Sequence, residues 1–365
     1  MADSYIKIHK ALLPLSFLYG LGVRFRNILF NHGILHSRKF DVPVISVGNI
    51  TVGGTGKTPH VEYLIRLLQD RFKVGVLSRG YKRKSHGYVL TAENTAMEDV
   101  GDEPFQMKNK YPKICMAVDA KRSEGIERLC EDEQPDVILL DDAFQHRYVK
   151  PGISIMLIDY FRLIYDDKLL PAGNLREPQS GKSRANIVIV TKCPKDIKPM
   201  NFRVISKNLN LYPYQTLYFT KLVYGELYPL FISDKPSIKL EELTDKNILL
   251  LTGIASPQRM LEDLREYNQA ITTVTFGDHH TFDTKDVERI RQTYDDMKGE
   301  HKIIITTEKD AVRLKNINGQ INQVLKENLY VLPLEIEFEL NKKEIFDKSI
   351  IDYVRKNKRN GNVHS

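Results

Sequence analysis

Thr51-Val52-Gly53-Gly54-Thr55-Gly56-Lys57-Thr58 lies between an apolar run at Val44–Val47 and a helical pattern at Val61–Leu68. Strand, glycine loop and helix form the setting in which a phosphate-binding loop works. Glycines let backbone N–H groups turn inward around phosphate oxygens, and the helix start adds the positive end of its dipole. In this reading Gly53, Gly54, Thr55 and Gly56 cradle phosphates, Lys57 holds the β- and γ-phosphates, and Thr58 ligates magnesium. One position departs from the strict pattern: Thr51 stands where glycine is usual, six residues before the lysine. Pro59 fits, because the first helical turn tolerates a residue without an N–H.

Such a loop needs an acidic partner, and Val137-Ile138-Leu139-Leu140-Asp141-Asp142 supplies an apolar strand ending in two carboxylates. Adjacent buried carboxylates repel, and a cation compensates them, so Asp141 is the expected magnesium-side residue. At the strand end where guanine-nucleotide proteins carry Asn-Lys-x-Asp, this chain has Thr191-Lys192-Cys193-Pro194, which favours ATP.

Outward from the loop, short apolar runs alternate with helical ones at Pro43–Val47, Lys73–Leu77, Ile114–Val118, Val137–Leu140, Ile153–Ile158 and Ile187–Val190. Strands buried on both faces read this way, so the expected fold is α/β: a P-loop NTPase-type doubly wound, mostly parallel sheet. A length of 365 residues suits two cores, and a second alternating series runs through Asn247–Thr252, a helix from Pro257, Ile271–Phe276 and Lys302–Thr306. The expected division is an N-terminal amphipathic helix in 1–40, a nucleotide-binding core in 41–213, an antiparallel β linker in 214–235, a smaller α/β lobe in 236–350 and a polar tail in 351–365.

Cys115, Cys130 and Cys193 have no ligand-like spacing and read as reduced packing residues of a cytosolic protein. A net charge of +7 favours an anionic partner. No basic run beyond Lys82-Arg83-Lys84 supports nucleic acid. Near the N-terminus, Ala11–Val23 is too short to span a bilayer and is broken by Pro14, Gly20 and Gly22. Leu18, Leu21, Phe25 and Ile28 nevertheless share one helical face, and Lys7, Lys10, Arg24, Arg26, Arg38 and Lys39 surround it, so the helix suits an anionic membrane surface. The competing reading is an ordinary helix docked on the core.

These motifs resemble, over nearly the whole chain, the tetraacyldisaccharide 4'-kinases, which phosphorylate a lipid A precursor at the bacterial inner membrane. The resemblance rests on Pro43–Asn49 leading into Gly53–Thr58, then Ser78-Arg79-Gly80-Tyr81, Gly101-Asp102-Glu103-Pro104 and Asp141–His146. Leu175-Arg176-Glu177-Pro178, Asp278-His279-His280 and Thr307-Glu308-Lys309-Asp310 continue it. Ala143 stands where that family usually has glycine.

The resemblance implies an ATP- and Mg2+-dependent kinase whose acceptor is tetraacyldisaccharide 1-phosphate, peripheral to the cytoplasmic face of the inner membrane, with no nucleic-acid partner. It further implies Asp102 as the base, paired with His279, and Glu103 and Gln145 beside magnesium. Arg79, Arg122 and Arg176 then meet phosphates of nucleotide or lipid. Without the resemblance, Gly101–Pro104 reads as a polar turn. The glycine loop alone also admits a P-loop ATPase switch, or a kinase of a soluble metabolite.

Overall fold

The computed structural model describes residues 6, 8–92, 94–254, 257–277 and 280–361. It divides the chain into two compact units, Met1–Leu222 with Ile336–Ser365, and Val223–Glu335. Fourteen strands occur among the described residues. In chain order they are β1 (Val44–Gly48), β2 (Val74–Ser78), β3 (Val89–Leu90), β4 (Cys115–Val118) and β5 (Val137–Asp141). Next come β6 (Ile153–Asp159), β7 (Ile187–Thr191), β8 (Thr216–Tyr224), β9 (Tyr228–Pro229) and β10 (Asn247–Thr252). The last are β11 (Ile271–Thr275), β12 (Lys302–Thr307), β13 (Leu329–Leu332) and β14 (Leu334–Phe338).

The first unit is built on a nine-stranded sheet ordered β14-β8-β7-β6-β1-β5-β2-β4-β3. Its pairings from β8 across to β4 are parallel, and β3 joins antiparallel. Alternate side chains of β1 serve opposite cores. Ile45 and Val47 pack with Val61, Leu64 and Ile65 of the helix Lys57–Leu68, whereas Val44 packs with Ile126 and Leu129 of the helix Arg122–Glu133. Helices on both faces explain why these strands are apolar throughout. The second unit carries a five-stranded sheet ordered β11-β10-β12-β13-β9, parallel except for β9.

Three expected boundaries are corrected. Residues 214–235 do not form a separate antiparallel linker: β8 continues the large sheet parallel to β7, and β9 joins the second sheet antiparallel to β13. The smaller lobe ends at Glu335 rather than 350, because Ile336 and Phe338 return to the first core. Residues 351–365 are not simply a polar tail, since the helix Lys343–Gly361 runs into them and buries Phe346, Ile350, Ile351 and Val354 against β1, β5 and β6 residues. Phe346 is 2% exposed and lies among Tyr63, Tyr218 and Phe338.

The N-terminal helix spans Leu13–Asn31, with Pro14 in its first turn. Its small and polar side faces the protein. Ser16 accepts a hydrogen bond from the Ala172 amide at 2.8 Å, and a Cβ at Gly20 would meet Leu169 at 2.7 Å. Leu18, Leu21, Phe25 and Ile28 all point to solvent, with Leu18 62% and Phe25 63% exposed. Leu15, Phe17 and Ile34 extend that apolar surface. No described helix is long and apolar enough to cross a membrane.

Removing the Phe346 ring leaves a cavity in the first core, so Phe346→Ala is expected to lower unfolding free energy by about 3–5 kcal/mol. Urea denaturation measures it; a loss below about 1 kcal/mol would show that the C-terminal helix is dispensable to the core.

Candidate functional site

Parallel pairing of β1 with β5 sets Val47 opposite Asp141. The glycine loop leaves the end of β1, and Asp141 and Asp142 leave the end of its neighbour, so the two motifs meet at the carboxyl edge of the sheet. That edge is where open α/β sheets bind ligands. Gly53 and Gly56 take φ values of 97° and 78°, which side chains disfavour. The helix begins at Lys57, so its first N–H groups, including that of Thr58, point into the loop. Lys57 Nζ lies 3.5 Å from Asp142 Oδ1, and Arg176 reaches the other oxygen of Asp142 at 3.6 Å. Asp142 therefore holds two of the expected phosphate-binding cations in one place.

Thr51 costs the loop nothing by not being glycine. It is buried and bridged to Leu175, and its hydroxyl accepts from Asn49 Nδ2 at 3.3 Å. The same amide donates to the Thr55 hydroxyl at 2.9 Å. Asn49 thus braces both threonines, a role that sequence reading did not assign; its signal was a polar residue directly after an apolar strand. Gln145 donates from Nε2 to the Asn49 carbonyl, which places it at the loop's entry.

Asp102 and Glu103 open the helix Asp102–Lys110, so the expected polar turn is a helix N-terminus, where carboxylates suit the dipole. This helix is tied to the loop helix by Glu62, which is buried and accepts from Lys110 Nζ and from Gln106 Nε2. Backbone contact does the rest: a Cβ on Gly80 would meet the Val100 carbonyl at 2.8 Å, and one on Gly101 the Tyr81 carbonyl at 2.9 Å. The Arg79 segment and the Asp102 segment accordingly run against each other. Arg79 is also close enough to Arg122 to oppose its charge.

Arg122, one of the expected phosphate contacts, is held inside the protein. It is 2% exposed and donates to the carbonyls of Asp119 at 2.8 Å and Asp141 at 3.4 Å, while burial pushes its pKa down to about 10. It supports the backbone behind the carboxylates. Glu177 is similarly internal: it pairs with Arg184 at 2.8 Å, whose guanidinium packs over Phe144 and donates to its carbonyl.

In the second unit, Asp310 is fully buried, accepts from the Gly253 amide at 2.8 Å and the Thr307 hydroxyl at 2.7 Å, and pairs with Arg313 at 3.3 Å. That motif fixes the start of the helix Glu308–Asn316. His280 bonds Asp286 at 2.7 Å and stacks on Phe276. His279 lies outside the described residues.

Asp141 has the most perturbed environment of the site. Burial, then the charges of Glu103 and Asp142, raise its pKa to about 7 against the opposing pull of Lys57 and Ser78. Ser78 donates to Oδ2 at 3.0 Å, but Oδ1 is buried with no donor in the protein. An orphaned carboxylate oxygen beside two further carboxylates fits a cation. Among the described residues no three His, Cys, Asp or Glu side chains make a complete ligand set. Magnesium takes one or two carboxylates and fills its remaining positions with phosphate and water, and the orphaned Asp141 oxygen is the donor that fits it.

A raised carboxyl pKa means that the folded state keeps a proton the unfolded state has released, so stability falls as pH rises from about 4 to about 7. Asp141→Asn is therefore expected to raise the Tm of ligand-free protein at pH 8 and to change it little at pH 4. Equal effects at both pH values would refute the buried-charge account.

The chain matches, over residues 8–354, the family model described as tetraacyldisaccharide-1-P 4'-kinase. It is 57% identical to the tetraacyldisaccharide 4'-kinase of Phocaeicola vulgatus, over 99% of this chain and 100% of that one. With the Bacteroides thetaiotaomicron enzyme of the same name it shares 53% identity, over 99% of this chain and 97% of the relative. The crystal structure of LpxK from Aquifex aeolicus in complex with ATP superposes with a TM-score of 0.73 at 29% identity, covering 94% of this chain and 98% of that one. A glycine loop facing paired carboxylates, carried in a sequence alike from end to end, has one reading: the chain belongs to the tetraacyldisaccharide 4'-kinase family.

Proposed function

We propose that this protein transfers the γ-phosphoryl group of ATP to the 4'-hydroxyl of tetraacyldisaccharide 1-phosphate, working at the cytoplasmic face of the inner membrane. The observation that carries this reading is the meeting of Lys57 and Asp142 at 3.5 Å, where the glycine loop and the β5 carboxylates share one sheet edge. ATP binding by the Aquifex aeolicus relative supports it.

Gly53–Thr58 would hold the nucleotide phosphates, with Lys57 exchanging Asp142 for the β- and γ-phosphates. Thr58, Asp141, Glu103 and Gln145 are the residues that would hold magnesium, which would supply positive charge against the phosphates. Arg176 and Arg79 would steady phosphate by paired N–H donors. Arg122 acts behind them, keeping Asp141 in place.

A sugar hydroxyl has a high pKa, so its proton must leave as the new P–O bond forms. Asp102, at the start of its helix beside Glu103, would accept it, and His279 would orient or share that proton. Rate then comes from positioning and from charge stabilisation rather than from covalent chemistry.

The acceptor's acyl chains belong in a bilayer, and the outward apolar face of the Leu13–Asn31 helix gives the enzyme a means of resting there. A soluble acceptor gives no reason for seven apolar side chains to face water.

Transfer of labelled γ-phosphate from MgATP to tetraacyldisaccharide 1-phosphate in detergent micelles tests the reaction. Product is expected from wild type and not from Lys57→Ala, and Asp102→Ala is expected to lower kcat far more than it weakens ATP binding. Hydrolysis of ATP without lipid product would point to the switch ATPase instead. Phe17→Asp with Phe25→Asp is expected to cut co-sedimentation with anionic liposomes while leaving the fold intact; unchanged sedimentation would make the helix purely structural.

A further inference from the structure

A phosphate loop works only while its N–H groups face the anion, which requires its carbonyl groups to be held away. In this protein side chains from outside the loop take those carbonyls. Arg162 NH1 donates to the Val52 carbonyl at 3.3 Å, and Lys192 Nζ donates to that of Gly54. The Thr191 hydroxyl donates to the Thr55 carbonyl at 2.9 Å. His60 takes the fourth: burial lowers its pKa to about 4, so the ring is neutral, Nδ1–H donates to the Gly56 carbonyl at 2.7 Å, and Nε2 accepts from Thr220.

Asp159 organises the two cations of this set. It is buried at the end of β6, and its Oδ2 lies 2.8 Å from Lys192 Nζ and 3.3 Å from Arg162 NH2. Its Oδ1 accepts from the Phe161 amide at 3.0 Å, which fixes the carboxylate itself. Lys192 has a φ of 57°, a left-handed backbone that turns the chain sharply at the end of β7. The Arg162 guanidinium occupies the space where a Gly53 side chain would stand, with NH1 2.9 Å from the position of a Cβ.

We propose that Asp159, Arg162 and Lys192 form a clamp of positioning residues that presets the glycine loop for nucleotide before nucleotide arrives. Asp159 sets the two cations, and the cations hold the Val52 and Gly54 carbonyls outward. The loop's N–H groups are thereby turned inward without the ordering cost that a free loop would bear on binding. The cations also outnumber Asp159, leaving a net positive charge behind a site for polyphosphate. This inference rests on reading the site as a nucleotide site.

Calorimetric titration with MgATP, together with steady-state kinetics, tests it on the full-length protein. Lys192→Met is expected to weaken MgATP binding about tenfold and to raise KM for ATP by more than it lowers kcat. Asp159→Asn is expected to reproduce much of that loss, and Lys192→Arg, which keeps a donor in reach, to recover most of it. The Tm of ligand-free Lys192→Met is expected to stay close to that of wild type. Unchanged MgATP affinity in Lys192→Met overturns the clamp, as does a Lys192→Arg protein as weak as Lys192→Met with an equally lowered Tm. Wild-type protein that binds no MgATP, like the Lys57→Ala control, overturns the nucleotide reading and the clamp with it.

Discussion

A carboxylate buried among like charges is the constraint around which this site is arranged. Asp141 ends an apolar strand, and the parallel pairing with β1 brings it level with the root of the glycine loop. Its surroundings set one hydroxyl, Lys57 and the Arg122 guanidinium against two negative neighbours. Burial and those negative charges raise its pKa, so protonation and stability are linked through one side chain. Arg122, placed behind the strand end, donates to the backbone oxygens of Asp119 and Asp141 and so steadies the geometry.

Support for the loop comes in layers. Asn49 braces the threonine hydroxyls from beneath, side chains from β6, β7 and the loop helix hold the carbonyls, and Glu62 links that helix to the one bearing Asp102. A buried ion pair such as Glu62 with Lys110 adds little net stability, because desolvation offsets attraction. Its use here is registration: two helix starts that carry different parts of the chemistry are held to one spacing.

Much of the parallel sheet was legible because its strands are buried on both faces and therefore written as unbroken apolar runs. Each run from Val44 to Val190 became a strand within a residue or so of its expected ends. The second lobe's runs at Asn247, Ile271 and Lys302 likewise became β10, β11 and β12. What sequence did not convey was long-range return. Thr216–Tyr224 is aromatic and mixed, since it lies toward the edge of the sheet, and it read as part of an antiparallel linker over 214–235. Lys343–Gly361 looks polar because its buried residues are separated by Asp347, Lys348, Ser349 and Asp352. Arg122 read as a phosphate contact for a related reason: nothing local distinguishes an arginine that faces a ligand from one that faces a carbonyl.

The return of Phe346, Ile350, Ile351 and Val354 to a core begun at Ile45 also orders events during synthesis. A nascent chain that ends before residue 336 has its nucleotide loop and its second unit but lacks the helix that covers this face. The second unit, continuous from Val223 to Glu335, can collapse while the ribosome is still translating; the first must wait for the segment that follows. Its apolar sheet face stays open in the interval, which makes the unfinished kinase, rather than the finished one, the form most in need of a chaperone.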